Sequence, residues 1–290
     1  MKSKIEYSLG HFGNKLSSFG FGIRIFYIND IFILTTDKIG TKNLSFQVKT
    51  TDKTFSITPT PESSTSFKCG DFYYMSYERN GMTDNEIQEK INILLNKEDR
   101  TLIVLHRNVY DRFISGITQV LFNNTFFYQK FLENFPYIKN KIDDVENTIL
   151  LKRNEDDRFN IENSILNTDL INVINYMDDT INKNFYTIFS DNHLSNYNFE
   201  LYCLLKKIKL KNITLKNIDE EDMQSIFAPY DISIEPYGLV PSNFIYNHFT
   251  KIYMESLFKT YNPNTVCDFI INKLKVENEF FKIIKSSYKR

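Results

Sequence analysis

Hydrophobic and polar positions along the chain follow two rhythms, one suited to strands and one to helices. Residues 20–36 hold the runs GFGIRIFYI and IFILTT, rich in Ile, Phe and Tyr, with Asn29-Asp30 between them as a turn signal. The second run leads directly into DKIGTKNL. Residues 46–60 alternate apolar and polar and predict a short hairpin or an irregular extended stretch, and residues 59–71, with two prolines and a Ser/Thr cluster, predict a loop. Residues 83–97 predict an amphipathic helix with Ile87, Ile91, Leu94 and Leu95 on one face. Thr83 with Glu86 three positions later forms a capping box at its start. TLIVLHR then reads as a continuous apolar strand of the buried parallel type, and YDRFISGITQVLF as a helix.

Beyond this point the pattern is mostly helical and rich in Asn and Asp from 126 to 185. NFYTIFSDNH leads into a helix over YNFELYCLLKKIK, followed by a short strand NITLKNI and the acidic stretch DEEDMQSIF. Residues 242–286 predict two amphipathic helices around the turn YNPNT. Strands alternating with helices predict an α/β fold: a P-loop-like parallel sheet flanked by helices, with a largely helical C-terminal part. No linker long enough to divide the chain is visible, so a single domain over 1–290 is expected, with its core at about 20–225.

Composition narrows the functional classes. The chain has 290 residues, 42% hydrophobic and 24% charged, with a net charge of −1, so it lacks the basic excess of a nucleic-acid coat. Any anion site must therefore be a local pocket. Cys69, Cys203 and Cys267 are three in number and far apart, which gives neither a disulfide framework nor a CxxC metal site. The N-terminal residues contain no apolar signal segment, and no apolar run approaches the roughly 18 residues of a membrane span. A cytoplasmic protein without membrane attachment is the expectation.

Two segments carry the chemistry of anion binding. In the first, the strand IFILTT is followed by Asp37, Lys38, Ile39, Gly40, Thr41, Lys42 and Asn43. Gly40 permits a tight backbone wrap, and the successive N–H groups of Gly40, Thr41, Lys42 and Asn43 can point at an anion. Lys38 adds a mobile positive charge and Thr41 a hydroxyl. The spacing is not that of a Walker A loop, because the lysine comes before the glycine. In the second segment Arg107 ends a strand, and Ser115-Gly116 follows on the next helix. A guanidinium and a hydroxyl at the carboxyl edge of an α/β sheet suit a phosphate. Arg112, between them, can assist or can pair with an acid.

The second segment, R-N-V-Y-D-R-F-I-S-G, resembles the 3′-phosphate signature R-[DN]-P-x-x-R-x-x-S-[GA] of sulfotransferases that use PAPS (3′-phosphoadenosine-5′-phosphosulfate), with Val109 in place of the family's proline. K-x-G-T-x-x-L upstream is similar to that family's 5′-phosphosulfate loop, and the two stand in the family's order. A third stretch, SDNHLSNYNFEL followed by NITLKNIDEEDM, loosely resembles the distal part of the carbohydrate, Golgi-type branch. The resemblance spans about residues 28–225. It implies sulfuryl transfer from PAPS to a hydroxyl of a glycan-type acceptor, without a metal and leaving PAP (3′-phosphoadenosine-5′-phosphate). Lys38 and the backbone of Gly40, Thr41, Lys42 and Asn43 would hold the 5′-phosphosulfate, and Arg107 and Ser115 the 3′-phosphate.

An acceptor hydroxyl also needs a general base. Between residues 45 and 105 there is no histidine, and the carboxylates there include Glu62 and Glu78. His193, in SDNH, is a further candidate. His106 abuts Arg107 but should point to the opposite strand face and pack. The competing expectations are another nucleotide-dependent transferase, a kinase or a glycosyltransferase, and a catalytically degenerate sulfotransferase fold that only binds. Walker A and D-x-D motifs are both absent from the sequence. Acceptor identity and oligomeric state are not encoded in any motif.

Overall fold

The computed structural model describes residues 23–36, 48–49, 54–59, 66–69, 72–97, 99–123, 125–138, 140, 170–194, 196–208, 212–234, 241–259 and 266–288. The chain divides into two compact units. The first comprises Met1–Arg112, Ser195–Tyr237 and Ile271–Arg290, and the second Phe113–Leu194 and Gly238–Ile270. Each therefore draws on both the middle and the C-terminal part of the sequence.

The first unit is built on a mixed sheet. Its strands are β1 (Ile23–Ile28), β2 (Ile31–Thr36), β4 (Thr54–Pro59), β5 (Phe67–Cys69), β6 (Phe72–Asn80), β7 (Thr101–His106) and β8 (Asn212–Asn217), in the order β5-β6-β4-β1-β2-β7-β8. A separate pair joins β3 (Val48–Lys49) to β9 (Ser233–Ile234). The α/β class holds, but the sheet is not parallel throughout: β2, β7 and β8 run parallel, whereas β5, β6, β4 and β1 continue antiparallel.

The antiparallel half begins at the Asn29-Asp30 turn. Both residues adopt positive φ, 46° and 60°. Two consecutive left-handed residues make the two-residue hairpin turn whose twist matches the flanking strands, and Asn and Asp tolerate that conformation best after glycine. Asn29 Nδ2 also donates to the carbonyls of Tyr230 (3.3 Å) and Asp231 (3.0 Å). Phe72–Asn80, to which the hydrophobic pattern assigned no element, is the long strand β6, and β5 occupies part of the stretch expected as loop.

The apolar run of β7 behaves as its sequence suggests. Leu102, Ile103, Val104 and Leu105 are fully buried, the environment of a strand covered on both faces. Helix α1 (Asp84–Asn96) starts at the expected capping box: Thr83 N–H donates to Glu86 Oε2 (2.8 Å) and Glu86 N–H to Thr83 Oγ1 (3.4 Å). It buries Ile87, Ile91 and Leu94, while Leu95 is half-buried at the edge of the same core. Among the described residues, the other α-helices lying wholly in this unit are α6 (Tyr197–Leu205) and the short α7 (Met223–Phe227), with β8 between them in the chain. Two helices pass from one unit to the other, α2 (Val109–Phe122) and α9 (Val266–Tyr288).

The second unit is helical. Alongside parts of α2 and α9 it holds α3 (Thr125–Asn134), α4 (Leu170–Lys183), α5 (Phe185–Phe189) and α8 (Pro241–Lys259). Its interior is aromatic: Phe122 stacks on Tyr246 at 4.5 Å, and Phe131 meets Phe122 edge-on at 5.0 Å. Such rings bury large areas and add a modest preference for these geometries. Where α2 faces α8, the hydroxyls of Thr118 and Thr250 satisfy each other at 2.9 Å inside the core. Among the described residues no helix is long and apolar enough to cross a membrane.

Candidate functional site

Parallel pairing fixes where the anion-binding segments leave the sheet. Phe32 pairs with Leu102, Ile33 with Ile103 and Leu34 with Val104, and this register carried two residues further sets Thr36 level with His106. On the other side of β7, His106 pairs with Asn217. The carboxyl ends of β2, β7 and β8 thus share one edge, the edge at which open α/β sheets take ligands. Arg107 leaves the central of these three strands. Lys38, Gly40, Thr41, Lys42 and Asn43 follow β2 and lie outside the described residues, as does Glu62.

Arg107 is half-exposed and already oriented. Its Nε donates to Asp219 Oδ1 (2.9 Å), while Asp219 Oδ2 accepts the backbone N–H of Asn108 (2.7 Å). One carboxylate therefore holds both the side chain and the backbone of the turn, and its charge is shared between two donors. Among the described residues the two Nη nitrogens of Arg107 make no hydrogen bond, so the flat, forked end of the guanidinium is what remains for an anion. Asp219 is itself placed by an Asx turn, its N–H donating to Asn217 Oδ1 (3.1 Å), at the end of the neighbouring strand. Its role went unread in the sequence, although the acidic turn after NITLKN was visible.

Asn108 caps the helix that follows. Its Oδ1 accepts the N–H groups of Tyr110 (2.9 Å) and Asp111 (3.3 Å), and its carbonyl accepts from Arg112 N–H (3.0 Å). This is how a chain leaving β7 turns at once into α2 without proline at Val109. His106 packs as expected: it is 8% exposed, with its ring 4.8 Å from that of Phe281. Burial, and then the nearby Lys285, lower its pKa from the ordinary histidine value, against the opposing pull of Glu220, Asp219 and Glu221. Arg112 is a buried ion-pair partner of Glu277 rather than a surface group.

The second unit holds the other candidates. Ser115 is half-buried on α2, and Gly116 beside it is buried. A Cβ at Gly116 would lie 2.6 Å from the carbonyl oxygen of His193 and 2.8 Å from Leu194 Cδ2, so only glycine lets α2 approach the 3-10 turn Asn192–Leu194 this closely. The Ser-Gly pair and His193, read separately from the sequence, are therefore neighbours. His193 Nδ1 lies 2.7 Å from Asp191 Oδ1, which also accepts the His193 N–H (2.9 Å). A carboxylate at Nδ1 selects the tautomer protonated there and leaves Nε2 as the basic nitrogen, the arrangement a general base requires.

Glu78 is placed elsewhere. It pairs with Ser56 in the antiparallel half of the sheet, in β6. Three strand spacings, about 14 Å, separate β6 from β2. Arg107 and Ser115 fall in different units. Among the described residues no group of three or more His, Cys, Asp or Glu side chains is arranged to hold a metal ion. Comparison of the chain with models of protein families, with curated proteins and with solved structures finds no match.

Proposed function

We propose that this protein is a sulfotransferase that takes its sulfuryl group from PAPS and passes it to a hydroxyl of a carbohydrate-type acceptor. The observation that supports this most is the parallel adjacency of β2 and β7. The Lys38–Asn43 segment and Arg107 follow neighbouring strands at the same sheet edge, as two halves of one nucleotide site must. A P-loop-like wrap of residues 38–43 around the 5′-phosphosulfate belongs to the same proposal.

In this mechanism the guanidinium of Arg107, aimed by Asp219, grips the 3′-phosphate through its Nη nitrogens, and the family resemblance assigns the Ser115 hydroxyl to the same phosphate. Lys38 faces the 5′-phosphosulfate and neutralises charge on the leaving oxygen. His193 Nε2, set by Asp191, takes the proton of the acceptor hydroxyl. The acceptor oxygen then bonds to sulfur as the bond from sulfur to the 5′-phosphate oxygen breaks, and that electron pair leaves on PAP. As in phosphoryl transfer, catalysis consists mostly of in-line positioning and stabilisation of the equatorial oxygens.

Calorimetric titration with PAP tests the nucleotide half. Lys38→Ala and Arg107→Ala should each weaken binding about 10- to 100-fold, the worth of one charge-assisted hydrogen bond. Wild-type affinity in both variants would refute the two-segment site. Turnover is tested with radiolabelled PAPS against glycans and small alcohols, and His193→Ala should abolish product formation while leaving PAP binding intact. A thermal-shift comparison of PAP, ATP and UDP separates this protein from a kinase or a nucleotide-sugar transferase.

A further inference from the structure

We propose that Glu277, on the C-terminal helix α9, is a positioning residue for the Arg107 turn and acts on it through Arg112. The inference rests on the nucleotide-binding function proposed above.

The first unit contains a cluster of charged side chains that solvent does not reach. Arg112 is 3% exposed, Lys273 5% and Glu277 1%. Glu277 Oε2 lies 3.7 Å from Arg112 Nη2 and accepts the N–H of Asn198 (2.9 Å), while Asn198 Nδ2 donates to the Glu277 carbonyl (3.2 Å). Lys273, one helical turn before Glu277, donates to Asn196 Oδ1 at 2.5 Å. Glu277 Oε1 has no hydrogen-bond partner among the described residues.

Buried charges of this kind are weak stabilisers, because desolvation offsets most of the attraction, and well-packed apolar residues often serve stability better. Their position suggests what they do instead. Arg112 stands in the first turn of α2, and its guanidinium lies over the Tyr197 ring, 5.6 Å from the centroid. The Tyr197 hydroxyl donates to the carbonyl of Leu105 (3.0 Å), two residues before Arg107. The chain from Leu105 to Arg112 is thus held at both ends by one assembly: Tyr197 grips the strand exit, and Arg112, seated by Glu277 and stacked on the same Tyr197, grips the helix start. Asp219 holds the middle. The Glu277 carboxylate faces Arg112 from α2, Lys273 from its own helix, and Tyr197 and the Asn198 and Phe199 N–H groups from α6, while Glu200 of α6 acts on Tyr197 and Lys273. Removing the Glu277 charge loosens Arg112, and with it the turn that presents the Arg107 fork.

The experiment is a double-mutant cycle read by PAP calorimetry on the full chain, with wild type, Glu277→Gln, Arg107→Ala and the double variant. Glu277→Gln should weaken PAP binding roughly tenfold, and should weaken it no further once Arg107 is already alanine, since residues that act through one another are not additive. Additive losses would assign Glu277 a merely structural role and overturn the inference. A second variant, Arg112→Leu with Glu277→Leu, removes both members of the ion pair together, leaves Lys273 its hydrogen bond to Asn196, and guards against a Gln variant that does not fold. It should also lose about tenfold in PAP affinity, whereas wild-type binding would overturn the inference. If wild type binds PAP and Arg107→Ala loses it, but Glu277→Gln binds normally, the positioning role alone falls. If wild type does not bind PAP, the nucleotide function falls and this inference with it.

Discussion

Arg107 and Arg112 stand five residues apart and each pairs with a carboxylate that is distant in sequence, yet the two pairs differ in kind. Arg107 meets Asp219 at 2.9 Å with both side chains about 29% exposed. Arg112 meets Glu277 at 3.7 Å with side chains 4% and 2% exposed. A half-exposed pair contributes little to stability, and its guanidinium keeps a face for something else. A buried pair holds the fold hostage to both partners, because losing one strands the other away from water. Under the proposed function the same residue type in one short segment serves two ends: Arg107 for a ligand, Arg112 for the frame that presents it.

The contrast is broken most directly by truncating each arginine in turn. Arg112→Met should cost about 3–5 kcal/mol of stability, since it deprives the buried Glu277 carboxylate of its ion-pair partner. Arg107→Ala should cost less than about 1 kcal/mol, in keeping with a half-exposed ion pair. Urea unfolding of the two variants reads both numbers. Equal losses would mean that the Arg107–Asp219 pair is structural after all, and that its exposed fork is incidental.

The next largest effect concerns Lys273. Burial drives its pKa down to about 8, against the pull of Glu277, with Arg112 adding to the depression. An unfolded lysine titrates near 10.4. Between about pH 8 and pH 10 the unfolded chain therefore binds the proton and the folded chain does not. Stability contributed by this site rises with pH through that window, by up to about 1.4 kcal/mol per pH unit, and the cost of charging Lys273 is fully present below pH 8. Cys203 and Cys267, whose pKa values burial raises, act in the opposite direction. The useful quantity is thus the difference between wild type and Lys273→Met in urea melts at pH 7.5, 8.5 and 9.5. A difference that stays constant with pH would show that Lys273 titrates as an ordinary lysine.

How far the sequence carried this comparison differs between its two halves. The β7 run ending in His106-Arg107, the capping box of α1 and the Asn29-Asp30 turn were all legible, because each depends on neighbours in the chain. The partners of both arginines were not. Asp219 lies 112 positions from Arg107 and reaches it only because β8 lies beside β7, a pairing that local pattern does not encode. Lys273 and Glu277 read as the polar face of an amphipathic helix, and a polar face is ordinarily solvated; only the approach of Arg112, Tyr197 and Asn198 turns it inward. Strand β6 was missed for a related reason. Its sequence, FYYMSYERN, mixes aromatic and polar residues without clean alternation, and its place is set by pairing to β4 and β5. The Lys38–Asn43 segment lies outside the described residues, so its half of the proposed nucleotide site stands on sequence and on the position of β2.

The smallest expected effect is the most discriminating, because two forces oppose each other at Asp219. Its negative charge stands beside the proposed phosphate and repels it, yet its two oxygens aim Arg107 and fix Asn108 N–H. Asp219→Asn removes the charge but also replaces one acceptor with an N–H₂ group, so one of the two donors loses its partner whichever way the amide is turned. A lost hydrogen bond at a half-exposed site costs about 1 kcal/mol. Screening by solvent at such a site leaves the relief of repulsion smaller than that. The balance predicts PAP binding about threefold weaker in Asp219→Asn, the net of these two terms. Tighter binding would mean that Asp219 competes with the anion instead of aiming the guanidinium, and would make the Arg107 pair a lock on the site rather than its support.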